Sequence, residues 1–438
     1  MPRNHSDRPH SHAHPPDPNM LTVEAALERV LALTEQLNSE SKSLIEADGQ
    51  TLSESIFAPI NLPGSDNSAM DGYCVKSENV KTATRDSGVL LKVLGQVQAG
   101  DLPSEVLKNN TAIRIMTGAP IPKGCDSVVP WELTDEPNRH AQTIDEIMIY
   151  HPAEVGDHLR PKGEDTRQGD LVLEKGVSLN PPSIGMLASL GFDHLQVIKR
   201  PTIGIIATGN EVQAPGEKQK EGHLFDSNSY GIATAVKRWG GVPKILGIAE
   251  DNLQSLESMI ASALDSDLVI TSAGVSAGAF DLVKNVLSIH GDIDFWSVKM
   301  RPSRPLAFGL LHSVDNRKIP HLGLPGNPVS ALVALVQFGK PMIYKMLGRE
   351  IPSPVTVDAI LDEPIVNFDG RRVFARVVLR KERDGLHARL AGAQGSNILS
   401  SMVEGDGMAI CHEDIEILDK GKIVTVQLFD WREQKILG

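Results

Sequence analysis

Residues 268–284, LVITSAGVSAGAFDLVK, decide how the chain is read. Leu268, Val269 and Ile270 form the aliphatic run of a buried parallel strand, which empties into a loop of small residues with an acid at its far end. Gly274 and Gly278 let backbone N–H groups approach a ligand where a Cβ would block it. The periodic apolar residues after Asp281 (Leu282, Val286, Leu287) then start a helix whose positive end faces the loop, an arrangement that holds a phosphate. Glycine-rich strand-to-helix turns also arise for packing alone, so the companions of this loop decide its meaning.

Composition narrows the field. At 438 residues the chain is too long for one ordinary domain, and 41% hydrophobic residues permit real cores. A formal net charge of −13 argues against a nucleic-acid binder, which needs a basic face. Cys74, Cys125 and Cys411 have neither CxxC spacing nor an even count, so zinc and a disulfide framework lack support and a reducing cytoplasm fits. No stretch approaches the length of a membrane span, and the polar N-terminus lacks a signal-peptide core, so a soluble, unsecreted protein without a membrane partner is expected. Residues 1–19 carry five prolines and four histidines and read as a disordered tail with no fixed geometry for a metal.

Patterning outlines the domains. From Thr22, a plausible cap, Val23, Ala26, Leu27, Val30, Thr34 and Leu37 follow helical spacing. Residues 59–153 break into short β-like runs, Leu90–Leu94 and Ala112–Met116 among them, and read as a β-rich domain. A helix opened by Pro181-Pro182 is expected to pack on the first one. Between 193 and 350, strands and helices alternate, which predicts a parallel sheet with covered faces. Beyond 351, Val373, Ala375, Val377 and Leu379 take one strand face and Arg372, Arg376 and Arg380 the other, before an Asp384-Gly385 turn; a small β-barrel is expected.

Ligands of parallel sheets bind at the carboxyl ends of strands, and three strands here end in functional-looking loops. IGIIAT ends at Thr208-Gly209-Asn210-Glu211, LVIT in the opening loop, and HLGL at Pro325-Gly326-Asn327-Pro328. Together they favour an anionic ligand, with Thr208, Gly209, Ser272, Gly274, Ser276, Gly278, Pro325, Gly326 and Asn327 as binding candidates. Glu211, Asp226, Asp251 and Asp281 lie near strand ends, where converging acids usually hold Mg²⁺ on phosphoryl oxygens; Asp226 reads equally well as the start of the helix at Asn228. Lys299, Arg301 and Arg304 form a basic turn stiffened by Pro302 and Pro305, suited to an oxyanion or to plain solvation. Two polar segments, LPGSDNSAMDGYCV (62–75) and RIMTGAPIPKGCDSVV (114–129), combine glycines, prolines and acids beyond what turns alone require.

These segments, with RPKGEDTRQGD, FDSNS, GLPGNPVSAL and AQGSNILSSM, occur in the order found in the MoeA and gephyrin E-domain family of molybdopterin molybdenumtransferases, which the chain resembles over about residues 20–438. The resemblance implies an α/β multidomain protein: an elongated, segment-swapped region (20–58 and 154–192), a β-rich domain (59–153), a parallel-sheet molybdopterin-binding α/β domain (193–350) and a C-terminal β-barrel (351–438). It also implies a homodimer with each active site at the subunit boundary, and conversion of adenylylated molybdopterin and molybdate to molybdenum cofactor and AMP with Mg²⁺. Molybdopterin adenylyltransferase and molybdoenzymes are the implied partners. Residue by residue it points to Asp66, Thr117, Asp165, Glu211, Asp281, Lys299 and Arg304 in catalysis, to Ser401 in cofactor binding, and to Glu211, Asp251 and Asp281 as metal ligands, with Lys299 and Arg304 receiving molybdate. The sequence departs from the family pattern at Ala273, Ala279 and Arg304, where glycine, an acid and lysine are usual. The alternatives are an adenylyltransferase-like enzyme, which would lack three of the four parts, and a non-catalytic cofactor carrier or scaffold.

Overall fold

The computed structural model describes residues 20–138, 144–272 and 289–437. It divides into two compact units, one made of Ser41–Asp48 and Leu52–Gln196, the other of the N-terminal segment to Glu40, Gly49–Thr51 and Val197–Gly438.

The smaller unit is built on strands β1 (Gly72–Val75), β2 (Val89–Val97), β3 (Thr111–Ile115), β4 (Ser127–Pro130) and β5 (Glu146–Ile149), ordered β4-β1-β3-β2-β5. Both faces are covered, which explains the unbroken apolar run in β1. Tyr73 and Val75 join Leu91 and Ile147 on one side, and Cys74 joins Ile113 and Val128 on the other. Gly72 is required at the start of β1, because a Cβ there would stand 2.1 Å from the Val129 carbonyl oxygen.

Helix α1 (Val23–Ala32) belongs to the larger unit and is capped by Thr22, whose hydroxyl accepts from the Ala25 N–H at 3.1 Å. The helix stops before Thr34 and Leu37; the Thr34 hydroxyl instead donates to the Val30 carbonyl at 2.9 Å. Its buried face, Val23, Ala26 and Val30, packs in one cluster with Phe338, Met346 and Leu347. The second helix, α2 (Pro181–Ser189), is capped by Asn180 and belongs to the smaller unit.

The larger unit's sheet has the order β7-β6-β8-β11-β10-β9, from β6 (Thr202–Thr208), β7 (Val242–Ala249), β8 (Leu268–Ser272), β9 (Gly291–Ser297), β10 (Pro305–His312) and β11 (Lys318–Leu324). The first four are parallel, but β10 runs antiparallel to both its neighbours, β11 and β9, so the sheet is mixed rather than wholly parallel. The cause is connection length: a parallel return needs a crossover of a dozen or more residues, and the short links around β10 permit only hairpins. Helices α3 (Asn228–Arg238) and α5 (Pro328–Ala334) share a core with Ile203, Leu268 and Leu322, while α4 (Leu253–Ala263) covers Ile206 and Val269 on the other face. A π-helical turn, Leu335–Gly339, joins α5 to α6 (Lys340–Met346).

Strands β12 (Thr356–Leu361), β13 (Arg372–Glu382), β14 (Gly385–Leu390), β15 (Gly407–Cys411) and β16 (Ile423–Leu428) close into a barrel in the order β13-β14-β12-β16-β15 and back to β13. Val373, Ala375, Val377 and Leu379 fill its interior as the alternation predicts. The opposite face of β13 is not simply solvated: Arg380 is exposed, but Arg376 is only 2% exposed because residues 394–401 cross it. The hairpin pairs Glu382 with Gly385, so its turn is Arg383-Asp384, one residue earlier than expected.

His387 ties this hairpin to the barrel, with Nδ1 2.8 Å from Asp362 Oδ1 and Nε2 3.0 Å from Asp384 Oδ1. The Asp362 contact first, then Asp384, raises the imidazole pKa above its ordinary value. A raised folded pKa stabilises the protein below the unfolded imidazole value, and the contribution is lost as pH rises through the folded one. His387→Gln is therefore expected to lower the melting temperature at about pH 5.5 and to leave it unchanged above about pH 8.5, measured by scanning calorimetry across that range.

Candidate functional site

The carboxyl ends of β6, β8 and β11 open into a cleft of about 950 Å³. Thr208 and Glu211 line it from the end of β6, Ser272 from β8, and Pro325, Gly326 and Asn327 from the turn that β11 delivers into α5. The three strand ends singled out in the sequence thus face one space. Neighbouring parallel strands in register bring this about, Ala207 standing opposite Ser272 and Ser272 opposite Leu324.

A side chain that motif reading passed over joins two of these ends. Asn228 Nδ2 donates to Ser272 Oγ at 2.6 Å and to the Gly326 carbonyl at 2.8 Å. It sits in the FDSNS segment, where the sequence allows Asp226 as metal ligand or helix start and gives Asn228 only as the start of the helix. Asn228 Oδ1 and Thr208 Oγ1 are buried with no hydrogen-bond partner among the described residues. Unmet polar atoms at the head of a cleft are costly unless a ligand completes them.

The acids divide by role. Glu211 faces the cleft, its carboxylate folded over Gly209, where a Cβ would stand 2.8 Å from Glu211 Oε1; Gly209 also has φ +133°. Asp226 lines the cleft and accepts from the Ser229 N–H at 3.0 Å, so it does serve as a helix start. Asp251 is engaged with Asn210, its N–H donating to Asn210 Oδ1 at 3.0 Å, and is not part of the cleft wall. Among the described residues, no three His, Cys, Asp or Glu side chains come together as a metal cage. Gly274, Ser276, Gly278 and Asp281, with Ala273 and Ala279, lie outside the described residues.

The facing wall is cationic. Arg301, Pro302, Ser303 and Pro305 line the cleft with Arg371, Gln394, Ser396 and Asn397. Asn327 Nδ2 donates to Ser396 Oγ at 2.9 Å and fixes this wall to the α5 turn. Burial pulls the Arg301 pKa below its usual value, and its guanidinium lies 3.8 Å from Asp369 and 4.3 Å from the Phe368 ring centre. Lys299 and Arg304, the basic residues chosen from sequence, do not line the cleft; the residue between them that does is Arg301.

Arg301, Pro302 and Gln394 also border an adjoining pocket of about 370 Å³ that reaches Arg376. Arg376 Nε donates to Ser401 Oγ at 3.1 Å and its Nη2 to the Gly395 carbonyl at 3.1 Å, with no carboxylate partner among the described residues. Burial pushes its pKa down to about 10, so it stays charged at neutral pH. A buried, uncompensated guanidinium is costly and is relieved by an anion. Ser401 is buried behind Arg376 and orients it, its own hydroxyl donating to the Ile398 carbonyl at 2.7 Å.

In the smaller unit, bridges Leu62–Thr166 and Asn67–Pro120 and the pairing of Asn67–Ser68 with Leu159–Arg160 gather three loops. They carry Asp66, Thr117 and Asp165, all exposed. Asp66 Oδ1 accepts from the Lys162 N–H at 2.7 Å, and the Asp165 N–H donates to the Leu62 carbonyl at 3.0 Å. Thr117 donates through both N–H and hydroxyl to Asp71 Oδ1, at 2.7 Å each, and these bonds hold the Asp71 carboxyl below its ordinary pKa.

Comparison with known proteins agrees with both units. Residues 21–191 match the profile described as "MoeA N-terminal region (domain I and II)", 204–345 the "Probable molybdopterin binding domain", and 358–429 the "MoeA C-terminal region (domain IV)". The chain is 33% identical to a molybdopterin molybdenumtransferase of Haemophilus influenzae, over 94% of this chain and 99% of that one. It is 34% identical to molybdopterin molybdenumtransferase 2 of Mycobacterium tuberculosis, over 85% and 90% respectively. The crystal structure of a molybdopterin biosynthesis MoeA protein from Pyrococcus horikoshii aligns with a TM-score of 0.78 at 30% identity, covering 94% of this chain and 99% of that one.

Proposed function

The chain belongs to the molybdopterin molybdenumtransferase family and inserts molybdenum into molybdopterin, and we propose that it does so in the cleft at the ends of β6, β8 and β11. The substrates are adenylylated molybdopterin and molybdate, and the products are molybdenum cofactor and AMP. The observation that carries this assignment is the opposition of two surfaces: strand-end loops with unmet polar atoms face a wall bearing Arg301, with Arg376 buried beside it. Loops of the first kind hold phosphate and pterin groups, and the second suits an oxyanion.

A magnesium ion fits these residues. Mg²⁺ takes hard oxygen ligands and is bound through one or two carboxylates plus substrate phosphates rather than an all-protein cage, and Glu211 and Asp226 supply carboxylates on the cleft wall. Asp251 and Asp281 are the further candidates. When bound, the ion neutralises charge on a phosphoanhydride as it breaks. The protein's own groups then bind and orient: Thr208, Ser272 and the Gly326-Asn327 turn receive the phosphate and pterin ends, while Arg301 and Arg376 receive molybdate.

We also place the protein in the cytoplasm as a homodimer, receiving substrate from molybdopterin adenylyltransferase and serving molybdoenzymes. No described helix is long and apolar enough to cross a membrane. In the dimer, Asp66, Thr117 and Asp165 of one subunit serve the active site of its partner. Mixing Asp66→Ala with Glu211→Gln protein is expected to give heterodimers with about half the wild-type activity, because one composite site keeps both residues. No recovery despite verified subunit exchange would show that each chain builds its own site.

Purified protein with adenylylated molybdopterin, molybdate and Mg²⁺ is expected to release AMP and yield cofactor that reconstitutes an apo-molybdoenzyme. Glu211→Gln should bind substrate but slow AMP release, most at limiting Mg²⁺. Tight binding by wild-type protein without molybdate-dependent AMP release would identify a carrier instead.

The two basic assignments separate in one titration. Arg376→Gln should weaken molybdate use by about 1 to 3 kcal/mol, the range for losing a charge-assisted contact, and leave adenylylated molybdopterin binding less affected. Arg304→Ala should leave the molybdate dependence of AMP release unchanged. The reverse pattern would return the oxyanion to Lys299 and Arg304.

A further inference from the structure

We propose that Phe225 is a stacking platform for a planar heteroaromatic ring of the substrate; the inference rests on the function assigned above. Phe225 and Leu224 form a short strand paired with Val212–Gln213, and both line the cleft with Val212. They are 41% and 66% exposed, in a chain with only 4% aromatic residues. The ring is nevertheless held by a fixed backbone. The Leu224 N–H donates to the Glu211 carbonyl at 2.8 Å, the Asp226 N–H donates to the Gln213 carbonyl at 2.9 Å, and Asp226 is locked to α3 through Ser229. A half-exposed aromatic side chain on a pinned ribbon meets a ligand with little loss of conformational freedom.

The position suggests what the ring meets. Glu211, the cleft-facing acid, lies on the facing segment of the same ribbon, so the phenyl ring stands beside the place assigned to phosphates. A flat ring attached to a phosphate fits there. Adenylylated molybdopterin carries two such groups, adenine and pterin, and stacking on a phenyl face is available to either.

Equilibrium binding of AMP and of molybdopterin to the full-length protein tests this without requiring turnover. Phe225→Ala is expected to weaken one of the two by about five- to tenfold, and Phe225→Leu, which keeps apolar bulk but no ring, should do the same. Phe225→Trp should retain affinity, and the emission it adds should be quenched by the same compound. Loss of AMP affinity identifies adenine on the platform; loss of molybdopterin affinity identifies the pterin. Binding of both compounds within about twofold of wild type in Phe225→Ala and Phe225→Leu overturns the proposal, as does wild-type protein that binds neither. Failure of AMP release with intact Phe225-dependent binding would count against the transfer reaction and leave the platform standing.

Discussion

The two hydrogen bonds of the Asn228 amide hold the cleft in shape. One NH₂ group spans the end of β8 and the turn after β11, at 2.6 Å to Ser272 Oγ and 2.8 Å to the Gly326 carbonyl. Parallel strands leave their last carbonyls and N–H groups unpaired at the carboxyl end, so the loops beyond can splay unless something bridges them. Asn228 reaches both because it opens α3, whose start is set by the buried Asp226 and whose apolar face, Ile232 and Val236, is anchored in the core. Packing energy from the helix thus positions a polar group that would otherwise pay the full cost of ordering itself.

The opposite wall is governed by charge. Moving a guanidinium out of water costs several kcal/mol, and neutral acceptors such as a serine hydroxyl and a backbone carbonyl return only part of it. Arg376 sits in that condition, and Arg301 is partly so because Asp369 is shared with Arg371. The barrel core bears the cost: with Val373, Ala375, Val377 and Leu379 packed inward, β13 has no freedom to turn Arg376 out to solvent. The result is positive potential kept in place before any anion arrives, so little reorganisation is needed when one does.

Much of this was legible in the residues. Period-two alternation in β13 identified the barrel interior, and the run before each glycine loop identified β6, β8 and β11. What periodicity reports, however, is which face a side chain takes, not what lies across it; Arg376 shares a strand face with exposed Arg380 and is buried only because residues 394–401 return over it. Charge density does not rank the residues of the basic turn, for a related reason. Lys299, Arg301 and Arg304 look equivalent in sequence, yet the pairing of Met300–Arg301 with Arg372–Val373 decides that Arg301 faces the cleft. The reversed strand β10 was hidden because it is as apolar as the parallel ones, and only its short connections betray the direction. Asn228 was hidden by its own plausibility as an ordinary helix-start residue.

The same distinction explains how a chain of net charge −13 can receive an anionic substrate. Exposed charges more than a Debye length apart are largely screened at physiological salt, so the overall acidity exerts little force within the cleft. Buried charges are screened far less, and the barrel side of the cleft and its adjoining pocket is lined by Arg301, Arg371 and Arg376. Selectivity for an anion therefore comes from burial of a few cations rather than from their number. On the assignment proposed above, phosphate at the strand ends and molybdate beside Arg376 are drawn to two separate attractions on opposite sides, which sets the two substrates in different places as well as binding them.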